Sequence, residues 1–416
     1  MIQAPKGTYD VLPQEVERRR VLMTHAERIL GAAGYQRIET PAVEATELFA
    51  RGVGQATDIV QKEMYSFDDG GGRSLTLRPE GTAPVCRAYI EHGMHKLPQP
   101  VKLWYLSAFF RAENPQRGRY RQFWQVGAEV IGCATPETDA ELIVLLAELL
   151  EAMGVRGTRL RLASLGQPET RGAYRDELVA YLRAHESELS DEVRGRIELN
   201  PMRAFDASDP STRRVMAEAP KLLDRLSPED AEHFGHVRSL LDATGIVYEL
   251  DPTLVRGLDY YTRTLFEFSS DALGAQSGVG GGGRYDRLIE QLGGQPTPGI
   301  GWAAGLERIL LAAPEPPTAP DAVDLLVTVA DRERGEAHLA AFIVAREARR
   351  AGLAAQLELT GRSLKSALKH ADRLEARYVA IVTDGEQATL KDMTSGEQRE
   401  LAVAAVIPEV LRGDRL

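Results

Sequence analysis

The sequence predicts an α+β chain with a smaller α/β domain at its C-terminal end. Three observations point there. Apolar alternation over 101–110 and again over 123–131 reads as two strands joined by a loop at Asn114-Pro115-Gln116. Residues 168–242 are charged and helix-rich and interrupt strand-like segments on either side, as an insertion or small helical domain would. Pro314, Pro316, Pro317 and Pro320 make 313–320 a stiff extended linker, so a domain boundary falls there, with one domain over 1–320 and another over 321–416.

Taken in order, Val16, Leu22, Ala26, Ile29 and Leu30 form a helical stripe over 14–33, stopped by Gly34. A strand over 35–39 ends at Pro41. Gly70-Gly71-Gly72 breaks a hairpin, and Leu75 to Thr82 runs from a strand into a helix carrying Pro84 to Ile90. Residues 137–153 form an apolar helix, and 159–165 a strand. After the insertion, strand character returns at 246–250 and 264–268, followed by glycine-rich stretches at 278–283 and 299–305. Beyond the prolines, strands at 324–329, 354–359 and 378–383 alternate with helices from Glu333 and Ser363.

The totals narrow the function classes. The net charge of −11 over 416 residues excludes a general nucleic-acid coat, so any such partner must meet local basic patches. Two cysteines, Cys86 and Cys133, argue against a disulfide framework and for a reducing compartment. The N-terminal residues lack a secretory apolar region, and no stretch is apolar over about 18 residues, the length a membrane helix needs. The expectation is a cytoplasmic protein.

The chemistry concentrates between Phe110 and Glu129, where Arg111, Arg117, Arg119 and Arg121 fall within eleven positions and a carboxylate strand follows. Guanidinium forks match phosphate geometry, so the hairpin suits a polyanion better than a solvated face. The glycine runs at 278–283 and 299–304 match a dinucleotide fingerprint in form only, since strand, helix and acidic residue are missing from the required places. Backbone lying close to a flat ligand is the simpler use. Arg256-Gly257-Leu258-Asp259-Tyr260-Tyr261 reads equally as a ligand-facing strand, with Arg256, Leu258 and Tyr260 on one face, or as a structural Asp–Arg pair with core tyrosines. Arg308, on a helix after a glycine turn, suits an anion contact. His92 and His95 could share a helical turn but have no third ligand nearby, so ordinary surface histidines are favoured. Arg362, Lys365, Lys369 and Arg373 make one basic helical stripe, either a solvated face or an RNA contact.

As an ordered set these residues resemble a class II aminoacyl-tRNA synthetase. Residues 34–51 with Pro41 look like its first motif, Phe110-Arg111-Ala112-Glu113 through Glu129 its second, and Gly299 to Arg308 its third. Leu254 to Tyr261 and Gly280 to Asp286 narrow the resemblance to the histidyl-tRNA synthetase family, with support from Lys6 to Asp10, Arg78 to Thr82 and Pro115 to Phe123. It covers essentially the whole chain. The fold implied is an antiparallel sheet flanked by helices, with a helical insertion and a C-terminal anticodon-binding domain.

The resemblance also implies roles. Arg111 and Arg256 face the ATP α-phosphate from opposite sides, and Arg308 holds the γ-phosphate with Mg²⁺ on the outer phosphates. Glu113 and Arg119 are further ATP contacts. Glu80, Thr82 and Gln125 match positions holding the amino acid's α-amino and carboxylate groups. Glu129 and Tyr261 match those gripping the two imidazole nitrogens, with Arg256 and Tyr260 beside them. Such a polar grip discriminates without editing, so the insertion is expected not to be an editing domain. Asn114, Gln116 and Arg117 fall where the loop approaches tRNA, and Arg362, Lys365 and Lys369 in the anticodon-binding domain. Asn114 stands where many relatives carry arginine, Trp124 where His or Tyr is more familiar, and the Gly280–Gly283 run is preceded by Val279, without the cysteine common in many relatives. The partners implied are histidine, ATP, tRNA(His) and a second copy of the chain, with no membrane. The other reading is a non-catalytic, synthetase-like regulatory subunit of ATP phosphoribosyltransferase. Such subunits typically lack the C-terminal domain and the key arginines, all present here.

Overall fold

The computed structural model describes residues 2–55, 57–274, 277–315 and 323–413. The chain divides into two units, Met1–Pro314 and Glu315–Leu416. Pro316, Pro317 and Pro320, and the predicted boundary after residue 320, lie outside the described residues.

The first unit is built on an eight-stranded sheet. Its strands run Gln36–Arg37, Val101–Phe110, Gln122–Ile131, Gly299–Gly305, Gly278–Arg284, Thr262–Ser270, Thr158–Ser164 and Tyr248–Leu250. Neighbours from Val101–Phe110 to Thr158–Ser164 pair antiparallel, and only the short edge strands pair parallel. Period-2 alternation divides the sheet into two faces. Val126, Ala128 and Val130, with Ile300, Trp302, Phe266, Phe268, Leu160 and Leu162, join one core cluster. That cluster is covered by the helices Pro13–Ala32, Pro136–Ala152, Pro228–Ala243 and Leu306–Ala312. The Pro136–Ala152 helix shows why: Leu142, Ile143, Leu146 and Leu149 recur at helical spacing and are fully buried. Each such side chain contributes about 1.5–3 kcal/mol of burial.

The opposite face belongs to a second cluster, where the Thr82–Glu91 helix and the insertion pack. Tyr174, Leu178 and Leu182 of the Pro168–Ala184 helix meet Leu165, Leu254 and Leu265 there. The insertion runs from Pro168 to Ala243, largely helical, with Asp209 and Ser227 accepting amide hydrogen bonds as helix caps.

Two expectations need correction. The glycine turn expected before Arg308 is instead a central strand, Gly299–Gly305, paired with a second glycine-rich strand, Gly278–Arg284. A Cβ at Gly282 would stand 1.9 Å from the Gly301 carbonyl, so neighbouring backbone, not a flat ligand, excludes a side chain there. Residues 254–261 form a loop rather than a strand, so Arg256, Leu258 and Tyr260 share no strand face.

The second unit carries a five-stranded sheet in the order Ala355–Leu357, Leu325–Val329, Tyr378–Val382, Gln387–Asp392, Gln398–Ala402. The first three strands are parallel, as alternating strand and helix predict. The last two add an antiparallel hairpin that the alternation did not announce.

Candidate active site

The strand face opposite the main helical core carries the polar residues. Gln125, Gly127 and Glu129 alternate with the core-facing Val126, Ala128 and Val130, so strand period alone puts Gln125 and Glu129 on one side. Glu129 is fully buried. Its Oε1 accepts from Thr82 Oγ1 at 2.8 Å and Tyr105 Oη at 3.3 Å, and its Oε2 from Tyr285 Oη at 2.7 Å. Burial pushes its carboxyl up to about 8, against the lowering effect of these hydroxyls.

Glu80 lies beside it, its oxygens accepting from the Thr82 and Ala83 amides at 2.7 and 2.9 Å at the start of the Thr82–Glu91 helix. Burial raises its carboxyl above the ordinary value even so. Tyr260 Oη reaches Glu80 at 3.5 Å, and the Tyr260 and Tyr261 rings meet edge-on at 4.8 Å. Glu80, Thr82, Tyr105, Gln125, Tyr260 and Tyr285 help line a small cavity of about 50 Å³. Glu129 stands one layer behind, reached through the Tyr105, Tyr285 and Thr82 hydroxyls. Gln125 Oε1 is buried in the cavity wall without a hydrogen-bond partner, an acceptor aimed at a donor not supplied by the fold.

Two glycines make room for this arrangement. Gly301 faces Glu129 across the strand pair, and a Cβ there would sit 1.7 Å from Glu129 Oε2. Gly127 yields to Tyr105, whose ring would come within 2.3 Å of an added Cβ. Gly301→Ala is therefore expected to lower stability by about 1–3 kcal/mol by overpacking and to abolish small-ligand binding in this cavity. Thermal unfolding and ligand titration of the variant check this; an unchanged midpoint would show that Glu129 can swing away freely.

The small cavity shares Arg111, Gln125, Arg256, Leu258 and Ala303 with a larger one of about 830 Å³. Glu63, Glu113, Arg119, Arg161, Glu267 and Arg308 also line the larger one. Arg111 donates from Nε to the Pro79 carbonyl at 2.9 Å and lies over the Phe123 ring at 5.3 Å. Glu113 stands 3.7 Å from Arg111 and 3.4 Å from Arg119. Arg256 is paired with Glu267, which also accepts from Arg161 at 2.5 Å. Arg308, on the Leu306–Ala312 helix, donates to the Gly278 carbonyl. Burial, and then the charge of Arg119, lower its guanidinium from the ordinary value. Two cations that disfavour each other at a cavity wall make a setting that an anion would relieve.

Sequence reasoning thus named Arg111, Glu113, Arg119, Arg256 and Arg308 at one cavity and Glu80, Thr82, Gln125, Tyr260 and Tyr261 at the other, with Glu129 behind. It missed Tyr105, Tyr285, Glu267 and Arg161. Period 2 could have found Glu267 between Phe266 and Phe268, and Arg161 between Leu160 and Leu162. Asn114, Gln116 and Arg117 sit exposed at the tip of the hairpin loop. In the second unit Lys365, Lys369 and Arg373 lie exposed on the Leu364–Arg373 helix. Arg362 does not extend that stripe: it precedes the Ser363 cap and pairs with Glu358 at 2.9 Å. His92 and His95 do not share a turn, because His92 ends one helix and Gly93, at φ 60°, redirects the chain.

Taken together, an antiparallel sheet flanked by helices, arginines over one face and a separate mixed-sheet unit define a class II aminoacyl-tRNA synthetase. A family model described as histidyl-tRNA synthetase matches residues 7–309, and one described as an anticodon binding domain matches 324–412. Histidine--tRNA ligase of Thermosynechococcus vestitus is 47% identical over 401 residues, covering 95% of this chain and 93% of that one. The Halorhodospira halophila enzyme of the same name is 48% identical over 412 residues, covering 96% and 95%. Among solved structures, apo S. aureus histidyl-tRNA synthetase superposes with a TM-score of 0.81 at 34% identity, covering 99% of this chain and all of that one. The chain belongs to the histidyl-tRNA synthetase family.

Proposed function

We propose that the chain joins histidine to tRNA(His) in two steps at the paired cavities. The observation that carries the reading is the wall they share: Arg111, Gln125 and Arg256 border both, so a carboxylate held in one meets a phosphate held in the other. In the first step a histidine carboxylate oxygen attacks the α-phosphorus of ATP, a P–O bond forms, and the bond to pyrophosphate breaks. Negative charge grows on the phosphate oxygens between Arg111 and Arg256, and fixed donors at such a place contribute about 2.7–4 kcal/mol each. No general base is needed, because the carboxylate is already ionised. In the second step a hydroxyl of the tRNA 3′-terminal ribose attacks the acyl carbon and AMP leaves.

Arg308 takes the outer phosphates, with Glu113 and Arg119 as further nucleotide contacts. Among the described residues no group of three or more His, Cys, Asp or Glu gathers to hold a metal alone. Glu113 is instead a carboxylate at the wall of a phosphate cavity, a donor type that fits Mg²⁺ arriving on the triphosphate. When bound, Mg²⁺ neutralises charge on the outer phosphates. For histidine, Glu80 and Gln125 take the ammonium group, while the Glu129 cluster and Tyr261 serve the two imidazole nitrogens, each of which needs a polar partner. Asn114, Gln116 and Arg117 face the tRNA acceptor end, and Lys365 and Lys369 the anticodon arm. The enzyme works as a homodimer, and no described helix is long and apolar enough to cross a membrane.

Pyrophosphate exchange with ATP across a panel of amino acids, followed by charging of total tRNA, tests this. Histidine alone is expected to support exchange, and one tRNA species to be charged. Absent or histidine-independent exchange would sink the reading. The regulatory-subunit alternative predicts no exchange.

A further inference from the structure

The loop that carries Tyr260 and Tyr261 is fastened at both ends to the helical insertion. On the Pro168–Ala184 helix, Arg171 donates from Nη2 to Asp259 Oδ1 at 2.5 Å. Its Nη1 reaches the backbone carbonyls of Asp259 at 3.3 Å and Tyr261 at 3.4 Å. One guanidinium therefore holds a carboxylate and two carbonyls of the same short run. The Asp259 amide is held from the other side, donating to the Val53 carbonyl at 3.1 Å.

The second fastening lies two residues beyond Tyr261. Arg263 has φ 43°, the left-handed region that a non-glycine residue rarely occupies unless its surroundings impose it. They impose it here. The Arg263 amide donates to the Gly166 carbonyl at 2.8 Å, and its carbonyl accepts from the Leu165 amide at 2.7 Å. Its guanidinium pairs with Asp230 at 3.0 Å and with Glu229, both at the start of the Pro228–Ala243 helix. Asp230 also accepts from the Gln167 amide and from Thr170 Oγ1, each at 3.0 Å, so the two insertion helices meet at this carboxylate.

Between these fastenings the loop borders a cavity of about 310 Å³, lined among others by Arg171, Arg175, Tyr261, Thr262 and Arg287. On that side polar attachment, rather than close packing, sets the backbone of Asp259 to Tyr261.

We propose that Arg171 is a positioning residue for amino-acid binding: by holding Asp259 and the Tyr261 carbonyl it sets the Tyr260 and Tyr261 rings against the substrate. The helical insertion thereby supports the amino-acid pocket. The proposal rests on the histidine reading of that pocket.

Arg171 suits a test because its side chain is 28% exposed and its ion pair is of the partly solvated kind that adds little to stability. Loss of the fork is expected to show in substrate binding and not in folding. Arg171→Ala should raise the KM for histidine in pyrophosphate exchange about tenfold, the effect of one lost charge-assisted contact. The KM for ATP and the melting temperature should stay near wild type. Arg171→Lys should recover part of the loss, since a point charge keeps Asp259 but not both carbonyls. Arg225→Ala, which breaks an exposed pair with Glu177 elsewhere on the insertion, should change neither KM. A histidine KM within about twofold of wild type in Arg171→Ala overturns the proposal. So does a parallel rise in both KM values with a lowered melting temperature, the mark of general loosening. Wild-type enzyme without histidine-dependent exchange would overturn the reading of the pocket, and this proposal with it.

Discussion

Replacing Arg256 by alanine is expected to lower kcat for histidine-dependent pyrophosphate exchange about 10²–10³-fold, the loss that follows removal of one preorganised oxyanion donor. The histidine KM should change much less. The split follows from where charge sits. Bound histidine already carries its carboxylate charge, whereas the α-phosphate oxygens gain charge only as the new P–O bond forms. A cation at the junction of the two cavities is therefore worth most in the transition state. Its partner supports this. Burial alone would raise the Glu267 carboxyl, but the Arg256 and Arg161 charges outweigh it and hold the group below the usual carboxylate range. Glu267 thus stays ionised and keeps the Arg256 guanidinium at the cavity wall before ATP arrives. Arg256→Lys should fall between wild type and alanine, keeping the charge and losing the fork. Steady-state exchange at varied histidine and ATP, with a melting curve for each variant, decides the matter. Equal losses in kcat and in histidine affinity would assign Arg256 a structural role instead.

Much of this site was legible because its residues recur at spacings that physical rules decode. The alternation around Val126, Ala128 and Val130 placed Gln125 and Glu129 together on the opposite strand face. The arginines between 111 and 121 sit on a hairpin whose second strand carries Gln125 and Glu129. What was not legible depends on contacts distant in sequence. Tyr105 reads as an apolar strand residue and Tyr285 as part of the Gly280 to Asp286 motif, and only folding brings their hydroxyls to Glu129, across 24 and 156 positions. The glycines at 278–283 and 299–305 announced no strand, because glycine weakens a strand in isolation. Here they are central strands, since neighbouring backbone and the Glu129 side chain occupy the space that Cβ atoms would need. The alternation of Arg256, Leu258 and Tyr260 does not hold for a related reason: that run is held by Arg171 of the insertion rather than by a strand partner.

Glu129→Gln is expected to cut kcat/KM for histidine about 10³-fold or more and to remove a pH trend from the free enzyme. The first effect follows from donor and acceptor arithmetic. With histidine bound and the carboxyl ionised, the group is acceptor-only and takes three hydroxyls, so it sets the polarity of the whole cluster facing the ligand. An amide turns one acceptor into a donor, and a buried mismatch of that kind carries several kcal/mol. Related amino acids should lose less, so the variant's discrimination narrows. The second effect follows from burial. The Glu129 carboxyl is pushed up to about 8 in the folded chain from an ordinary value of 4.5. Between those values the unfolded state has released a proton that the folded state retains. Stability of the ligand-free enzyme therefore falls as pH rises through that window and levels off above about 8. Glutamine removes this contribution, so the variant should melt higher relative to wild type at pH 8–9 than at pH 5. Bound histidine should shrink the difference, because an imidazole N–H directed at the cluster favours the ionised carboxylate. Melting curves at several pH values, with and without histidine, measure all of this. A variant that keeps wild-type selectivity across the amino-acid panel would place Glu129 outside recognition, whatever its effect on stability.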